Sequence, residues 1–341
     1  MYNNTNKIMF KATLIGGIMM TFSSNSWLGA WMGLEINLLS FIPLMSNNEN
    51  ILTTEASMKY FLVQALASSI LIFIVMLNLI MEEMNKLMNN VIQLNMIMSL
   101  PLMLKMGVAP LHWWFPSVME GLTWMNCLIL LTLQKIAPIL LTSNVISHNW
   151  WFIISILMSN MVGSIGGLNQ TSTRKILAYS SINHMGWLMM SMVINMNTWI
   201  IYFITYVVMT VGLIKVLKIN QLSFINQTFM QNMNTSSKLF VFMMFLSMAG
   251  LPPLLGFLPK WMIIQHMVSN NYISMGLLMI ISSLITLYFY LRVMYASILM
   301  VKIKTTWESP KLYNVSVSML LNVTFTLTGL LILPLYLNLY Y

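Results

Sequence analysis

Three lysines, Lys105, Lys135 and Lys260, and one glutamate, Glu35, each lie inside a long apolar stretch of the sequence. A charge at bilayer depth costs at least ~2.5–3.5 kcal/mol on insertion scales, so ionisable residues there are rare and usually belong to an ion or proton path. Loss of hydration favours the neutral form of an amine, so a buried lysine can release and regain a proton near neutral pH. The four residues therefore predict proton transfer inside a membrane.

Glu35 could control the protonation of a lysine by moving toward it or away from it. At ~4 Å and an effective dielectric near 20, a carboxylate and an ammonium attract each other by ~4 kcal/mol. The alternative is that the charges form static salt bridges between helices. One carboxylate cannot neutralise three lysines, so the sequence favours the proton-carrying interpretation.

Two histidines, His112 and His184, also fall within apolar spans. Histidine titrates near pH 6.5 and can pass protons on, although an interior histidine can equally be a hydrogen-bonded packing residue. Both interpretations stay open at this point. The remaining titratable groups of interest lie near span ends, and we expect them at the membrane interface: Lys59, His148, His266 and Arg292.

The composition excludes a soluble domain. The 341 residues are 58% hydrophobic and 7% charged, with a mean hydropathy of +0.79, and such a chain could not cover its own surface with polar groups. One cysteine, Cys127, allows neither a disulfide nor an iron–sulfur cluster. There is no ATP-binding or dinucleotide-binding motif. We therefore expect no cofactor or metal in this chain, beyond possible structural lipids.

The pattern of apolar runs predicts an all-α, polytopic membrane protein, because only helices or closed barrels satisfy their backbone groups in lipid. We count eleven transmembrane spans in one domain, residues 1–341. The predicted spans are 8–22, 26–45, 57–80, 92–118, 123–146, 150–168, 174–194, 198–217, 238–267, 272–299 and 315–339.

The basic residues give the predicted topology. With the three core lysines set aside, twelve of the other thirteen lysines and arginines fall on one side, and only Lys86 falls on the other. Positively charged loops stay on the side from which a membrane protein is inserted. The N-terminus is therefore expected on the positive side and the C-terminus opposite. The net charge of +9 is scattered over loops, which argues against a nucleic-acid partner.

Two segments, residues 105–116 and 247–260, resemble each other at an offset of 143. Proline removes an amide donor, so each segment should break its helix within the membrane. The segments lie five spans apart and so cross in opposite directions. This arrangement is typical of inverted repeats, which would here span about 8–146 and 150–299. The alternative is that the two segments match by chance. The residues expected at the breaks are Gly107, Pro110, Pro116, Gly250, Pro252, Pro253 and Pro259.

Several motifs together resemble the antiporter-like membrane subunits of respiratory complex I, over the whole length of the chain. The pattern K-x-G-x-A-P-x-H-x-W-x-P spans residues 105–116, and G-L-P-P-x-x-G-F-x-x-K spans 250–260. Shorter motifs are S-S-I-x-H-x-G at 180–186, Q-K-I-A-P at 134–138 and G-L-E ending at Glu35.

The resemblance implies a core membrane subunit of a proton-translocating NADH:ubiquinone oxidoreductase. Glu35 would pair with Lys105, Lys135 would connect the two half-channels, and Lys260 would serve the second. NADH, FMN, iron–sulfur clusters and ubiquinone would bind other subunits, which would be the partners of this chain together with accessory subunits and lipid. The frequent methionine, 37 residues, favours a mitochondrial origin. The N-terminus would then lie in the matrix and the C-terminus in the intermembrane space.

The chain also departs from the family pattern. Family members commonly have fourteen helices, whereas this sequence has eleven predicted spans. Two other functions stay open from the sequence: a stand-alone cation/proton antiporter, and a scaffold that moves no protons.

Overall fold

The computed structural model describes residues 2–46, 50–88, 95–146, 150–227 and 235–299. Helices account for almost all of them, and no β-strand occurs in these ranges apart from one isolated bridge between Ser172 and Phe224. In chain order the helices are α1 Tyr2–Ser23, α2 Trp27–Met45, α3 Ile51–Met88, α4 Asn95–Met106, α5 Trp114–Gly121, α6 Trp124–Leu131, α7 Leu133–Val145, α8 Trp150–Gly167, α9 Thr173–Ile194, α10 Thr198–Ile219, α11 Thr235–Ala249, α12 Phe257–Ser269 and α13 Ile273–Leu299.

The all-α prediction is confirmed, and helices occupy each of the first ten predicted spans. Six apolar segments in the described part of the chain are long enough to cross a membrane, among them 51–80, 124–145 and 198–219. Helices α4, α5, α11 and α12 are individually shorter than the roughly 20 residues that a crossing needs. The predicted span 315–339 lies outside the described residues, so the count of eleven stays a prediction.

The chain divides into two compact units, Met1–Ser155 and Ile156–Tyr341. In the first unit α1 packs along α2, and α4 packs against α3 and α7. Helices α1 and α2 approach closely at two glycines. A Cβ on Gly33 would lie only 2.8 Å from the carbonyl oxygen of Gly17, so a larger residue would not fit there. Small residues serve this purpose in membrane helix pairs, where close packing replaces the hydrophobic drive.

The second unit is built around α9, which is buried along almost its whole length. Helices α10, α12 and α13 pack against it, and α11 packs between α10 and α13. Gly163 lets α8 approach α9, since a Cβ there would lie 2.6 Å from the backbone nitrogen of Asn183. The surrounded position of α9 explains how its polar side chains can lie in the interior of a membrane protein.

Each unit contains one interrupted helix at the proline-rich segment. Between α4 and α5, residues 107–113 form turns, and between α11 and α12, residues 250–256 do the same. The first residue of each interruption has a left-handed backbone, with φ of +71° at Gly107 and +84° at Gly250. Glycine adopts this conformation without steric cost, so the matched glycines end their helices in the same way.

A Gly256→Ala substitution should destabilise the second interruption. A Cβ on Gly256 would overlap the carbonyl oxygen of Ser247, a backbone atom that cannot rotate away. Overpacking of this kind costs about 1–3 kcal/mol, and we expect a lower thermal midpoint and less folded protein. The matched control is Gly276→Ala in α13, where the nearest atom would be 3.6 Å away. Equal stability of the two variants would contradict the packing described at the interruption.

Candidate functional site

A small cavity in the first unit is lined by two of the predicted lysines. Lys105, from the last turn of α4, and Lys135, from the first turn of α7, both line it. The volume open to water is about 20 Å³, which is room for at least one water molecule. The side chains of Lys105 and Lys135 are 9% and 2% exposed. The cavity therefore holds two ammonium groups away from bulk solvent.

The cavity wall contains neutral polar groups from four helices. Tyr60 donates a hydrogen bond of 3.3 Å to Oε1 of Gln134, the residue before Lys135. The Oδ1 atom of Asn37 and the Nε2 atom of Gln134 are buried, and neither has a hydrogen-bond partner among the described residues. A buried polar group without a partner is costly, and water is the usual solution where there is room for it. These groups suit the cavity to ordered water.

The helix interruption contributes directly to this site. The indole of Trp114, at the start of α5, donates a hydrogen bond of 3.1 Å to the carbonyl of Leu104. The amide of Gln64 donates one of 3.4 Å to the carbonyl of Lys105. Carbonyls at the end of a helix have no partner within the helix. The Gly107 N–H also donates to the Leu104 carbonyl, at 3.2 Å. Trp114 and Gln64 therefore add side-chain bonds at the end of α4, beside the backbone that carries Lys105.

Lys135 also contacts an aromatic ring. Its Nζ atom lies 4.9 Å from the centroid of the Phe115 ring, which belongs to α5. A cation over a ring face is attracted by the negative charge density of that face. The contact ties the position of Lys135 to the same interruption that positions Lys105.

Glu35 lies on α2, next to the cavity but not among the residues that line it. The residue is half-buried. The pairing of Glu35 with Lys105, and a role for this pair in proton transfer, both stay predictions.

His112 lies within the interruption but does not line the cavity. The Nδ1–H group of its buried ring donates to the carbonyl of Pro110 at 3.2 Å. The ring also stacks on Trp113, with 4.9 Å between the centroids. These contacts hold the imidazole in the turn, and they are the contacts expected of a hydrogen-bonded packing residue. A relay role for His112 stays untested.

The second unit positions Lys260 at its own interruption. Lys260 lies in the first turn of α12, and its Nζ donates a hydrogen bond of 2.8 Å to the carbonyl of Ala249, the last residue of α11. The partial negative charge at the end of a helix favours a cation there. The ammonium also lies 5.8 Å from the Trp187 ring centroid. Gly250 makes room for this side chain, because a Cβ there would lie 3.1 Å from Nζ.

His184 lies on α9, where sequence analysis expected it, and its ring is 5% exposed. Its Nδ1 atom forms a hydrogen bond of 2.8 Å with the hydroxyl of Tyr202 on α10. The Tyr206 ring lies beside it, at 5.3 Å between centroids. Tyr202 and Tyr206 are four residues apart and face α9 together, a spacing that the sequence contained but that our sequence analysis did not use.

The residues expected at the interface have varied surroundings. Lys59 forms an ion pair of 2.6 Å with Glu55 and is 47% exposed. Arg292 donates to the carbonyl of Gln170 at 2.8 Å, beyond the end of α8. His266 is half-buried in the last turn of α12, and His148 lies outside the described residues. In the described part of the chain, no group of three or more His, Cys, Asp or Glu side chains could hold a metal ion.

Comparison with known proteins decides the family. Residues 24–286 match the family described as NADH:quinone oxidoreductase/Mrp antiporter, transmembrane. The chain belongs to this family. The resemblance to the antiporter-like subunits found in the sequence is thereby confirmed.

Relatives within the family share the length of this chain. A protein of Aedes aegypti named NADH-ubiquinone oxidoreductase chain 2 is 47% identical over 335 residues, 97% of each chain. The protein of the same name from Anopheles gambiae is 46% identical over 308 residues, 90% of each chain. The fold is similar to a chain in the structure of respiratory complex I from Thermus thermophilus with bound aureothin. That match has a TM-score of 0.80 and 22% identity, and it covers 96% of this chain and 79% of the other.

Trp114→Phe should weaken the end of α4, because the phenyl ring has no N–H donor and fills less of the buried space than the indole. The variant loses the hydrogen bond to the Leu104 carbonyl, and loss of one such bond costs about 1 kcal/mol. We expect a lower thermal midpoint. Trp113→Phe is the matched control, because the neighbouring Trp113 side chain is 81% exposed and should tolerate the same change. If Trp113→Phe lowered the midpoint as much, the hydrogen bond would not be what stabilises this helix end.

Proposed function

We propose that the chain is a core membrane subunit of a respiratory complex I and carries protons through its buried lysines. The observation that supports this most directly is the cavity shared by Lys105 and Lys135. Two lysine side chains at bilayer depth are costly if they serve stability alone, whereas beside water an ammonium can release a proton and the neutral amine can take one up. The names of the relatives, NADH-ubiquinone oxidoreductase chain 2, support membership of the complex.

In this proposal Glu35 regulates the first lysine of the path. A negative charge beside Lys105 favours its protonated form, and withdrawal of that charge favours transfer of the proton toward Lys135. Water in the cavity, held by Asn37 and Gln134, would bridge the two amines. Lys260 would act as the corresponding group of the second unit, with His184 as its neighbour in the relay and His112 as a possible contributor from the first unit.

The chain itself would bind no redox cofactor. NADH, FMN, iron–sulfur clusters and ubiquinone would be bound by other subunits of the complex, so the driving energy would reach this chain through its membrane partners. The chain would lie in the mitochondrial inner membrane. The two interrupted helices, with glycines of positive φ at equivalent positions, support the proposal that two five-helix repeats cross the membrane in opposite directions.

Lys105→Met and Lys135→Met should each lower proton translocation strongly, because methionine fills similar space but holds no proton. The measurement is proton uptake by vesicles that contain the assembled complex, recorded together with NADH oxidation. Lys59→Met is the matched control, since Lys59 is half-exposed and lies outside the cavity. Unchanged proton uptake in both cavity variants would favour a scaffold that moves no protons.

Glu35→Gln tests the regulatory carboxylate in the same assay. The amide keeps the shape of the side chain and removes the charge to which the proposal assigns control of Lys105. We expect proton uptake to fall, while Glu55→Gln, which removes a half-exposed carboxylate of α3, leaves it unchanged. Wild-type uptake in Glu35→Gln would show that the pair is a static structural contact.

The proposed orientation, with the N-terminus in the matrix, can be tested with single cysteines. The natural Cys127 is buried and should give little background. Thr171→Cys, in the exposed α8–α9 loop, and Ser269→Cys, at the exposed end of α12, are expected on opposite sides. An impermeant thiol reagent should label Ser269→Cys in mitoplasts and Thr171→Cys in inverted vesicles. The reverse pattern would overturn the orientation.

The stand-alone cation/proton antiporter is the second candidate, because the family description also covers Mrp antiporters. Purification separates the two. A chain that co-purifies with NADH-oxidising activity belongs to the larger assembly, whereas cation/proton exchange by the isolated chain in vesicles would support the antiporter.

A further inference from the structure

Two polar side chains lie one turn apart on the buried face of α3. Tyr60 and Gln64 are 3% and 4% exposed, and both line the cavity that Lys105 and Lys135 also line. Residues four apart on a helix lie on the same side of it, with a rise of about 6 Å between them. We call Tyr60 and Gln64 the α3 bracket. Apolar buried residues continue the same stripe of α3: Ala56, Ala67 and Leu71.

Each member of the α3 bracket bonds a different helix that carries a cavity lysine. The Tyr60 hydroxyl donates a hydrogen bond of 3.3 Å to Oε1 of Gln134, which precedes Lys135 in the first turn of α7. The Nε2 atom of Gln64 donates one of 3.4 Å to the carbonyl of Lys105 itself, in the last turn of α4. A single turn of α3 is therefore bonded to both helices at the positions where their lysines begin.

Aromatic rings from two other helices hold the Tyr60 ring. Phe41 of α2 meets it edge-on, with 5.3 Å between the centroids, and Trp114 at the start of α5 lies 5.9 Å away. Contacts between aromatic rings favour particular orientations, and a buried tyrosine usually finds a hydrogen-bond partner for its hydroxyl. The direction of the Tyr60 hydroxyl is therefore set by α2 and α5 as well as by α3.

Helix α3 is itself held close to the interrupted helix, one turn before Tyr60. A Cβ on Gly121, the last residue of α5, would lie 2.7 Å from the Cβ of Ala56 and 2.5 Å from the carbonyl oxygen of Leu52. Helix α3 also packs against α4. The bracket therefore projects from a helix whose position beside the interruption is fixed, and its side chains extend that fixed position to α7.

The polar atoms of the bracket are not needed to fill the core. A phenylalanine ring would occupy nearly the same space as Tyr60, and a buried hydroxyl costs free energy unless it is bonded. What the hydroxyl adds is direction, because it engages the Oε1 end of the Gln134 amide. The Nε2 end of this amide is buried and has no hydrogen-bond partner among the described residues. The contact therefore fixes the residue next to Lys135 more than it stabilises the fold.

We propose that the α3 bracket sets the separation of Lys105 and Lys135. Tyr60 and Gln64 are positioning residues that hold the start of α7 and the end of α4 in fixed places. Transfer between two groups depends on their geometry, and a misplacement of about 1 Å can lower a rate about a hundredfold. The bracket acts through Gln134 and through the backbone of Lys105, and it takes up no proton itself. This inference rests on the proposed function and names the helix that fixes the geometry of the lysine pair.

The first test measures the positions of the two helices directly. Electron cryo-microscopy of the assembled complex gives the separation of the Lys105 and Lys135 Cα atoms. We expect Tyr60→Phe to spread this separation over more than one value, because α7 loses its bond to α3. Gln64→Met should do the same through the end of α4. Tyr288→Phe is the matched control, since Tyr288 is 61% exposed on α13 and the same chemical change should leave the separation at its wild-type value.

The second test measures the rate of proton uptake per assembled complex. We expect this rate to fall about two- to tenfold in Tyr60→Phe and in Gln64→Met, the range that corresponds to the loss of one hydrogen bond. A contact that only stabilises the fold would lower the thermal midpoint and the amount of complex, and would leave the rate per complex unchanged. Added to Gln134→Met, Tyr60→Phe should cause no further fall, because residues that act through each other are not additive.

The outcomes separate this inference from the proposed function. If Lys105→Met and Lys135→Met lose proton uptake while Tyr60→Phe and Gln64→Met keep the wild-type rate and separation, the bracket is wrong and the lysine path stands. If the lysine variants keep wild-type uptake, the proposed function itself is wrong. A fall in Tyr60→Phe that adds fully to that of Gln134→Met would overturn the role given to the hydroxyl. Gln64→Met supplies the second variant if Tyr60→Phe fails to assemble.

Discussion

An ammonium group held at bilayer depth is the constraint on which the rest of this structure depends. An ammonium that has lost its hydration needs a lone pair, an aromatic ring face or a water molecule beside it. Lipid supplies none of these, so the protein must. Lys135 lies over the Phe115 ring, and Lys260 donates to the Ala249 carbonyl. In each unit, the residues that meet this need come from the interrupted helix.

The two interruptions provide different surroundings for their lysines, although their glycines share the same backbone conformation. In the first, Gln64 and the Trp114 indole occupy carbonyls at the helix end, and Lys105 is left to face the cavity. In the second, Lys260 itself occupies the free carbonyl at the helix end. The first arrangement leaves the Lys105 side chain facing the cavity, and the second holds the Lys260 side chain at a helix terminus. Sequence similarity between the segments therefore does not mean identical local chemistry.

The polar side chains of the second unit show how a membrane protein can have a polar interior without exposing it to lipid. Helix α9 is surrounded by helices, so its polar side chains are buried, and His184 bonds the Tyr202 hydroxyl rather than facing hydrocarbon. Glycines 163 and 186 let α8 approach it closely. Close packing and polarity are compatible here, because the glycines leave room for the polar side chains of Ser159 and Asn160 on α8.

The sequence by itself determined the all-helical membrane class and which lysines would be buried, because hydropathy is a local property of the chain. Lys105, Lys135 and Lys260 stood out for that reason, and His184 stood out as a titratable group in an apolar run. The sequence also indicated the family, because the motifs at 105–116 and 250–260 are continuous in sequence. Only the tertiary structure decided which groups meet. Tyr60, Gln64 and Tyr202 are distant in sequence from the groups they contact. The packing of α3 and α10 brings them into contact, and a single sequence does not specify that packing residue by residue.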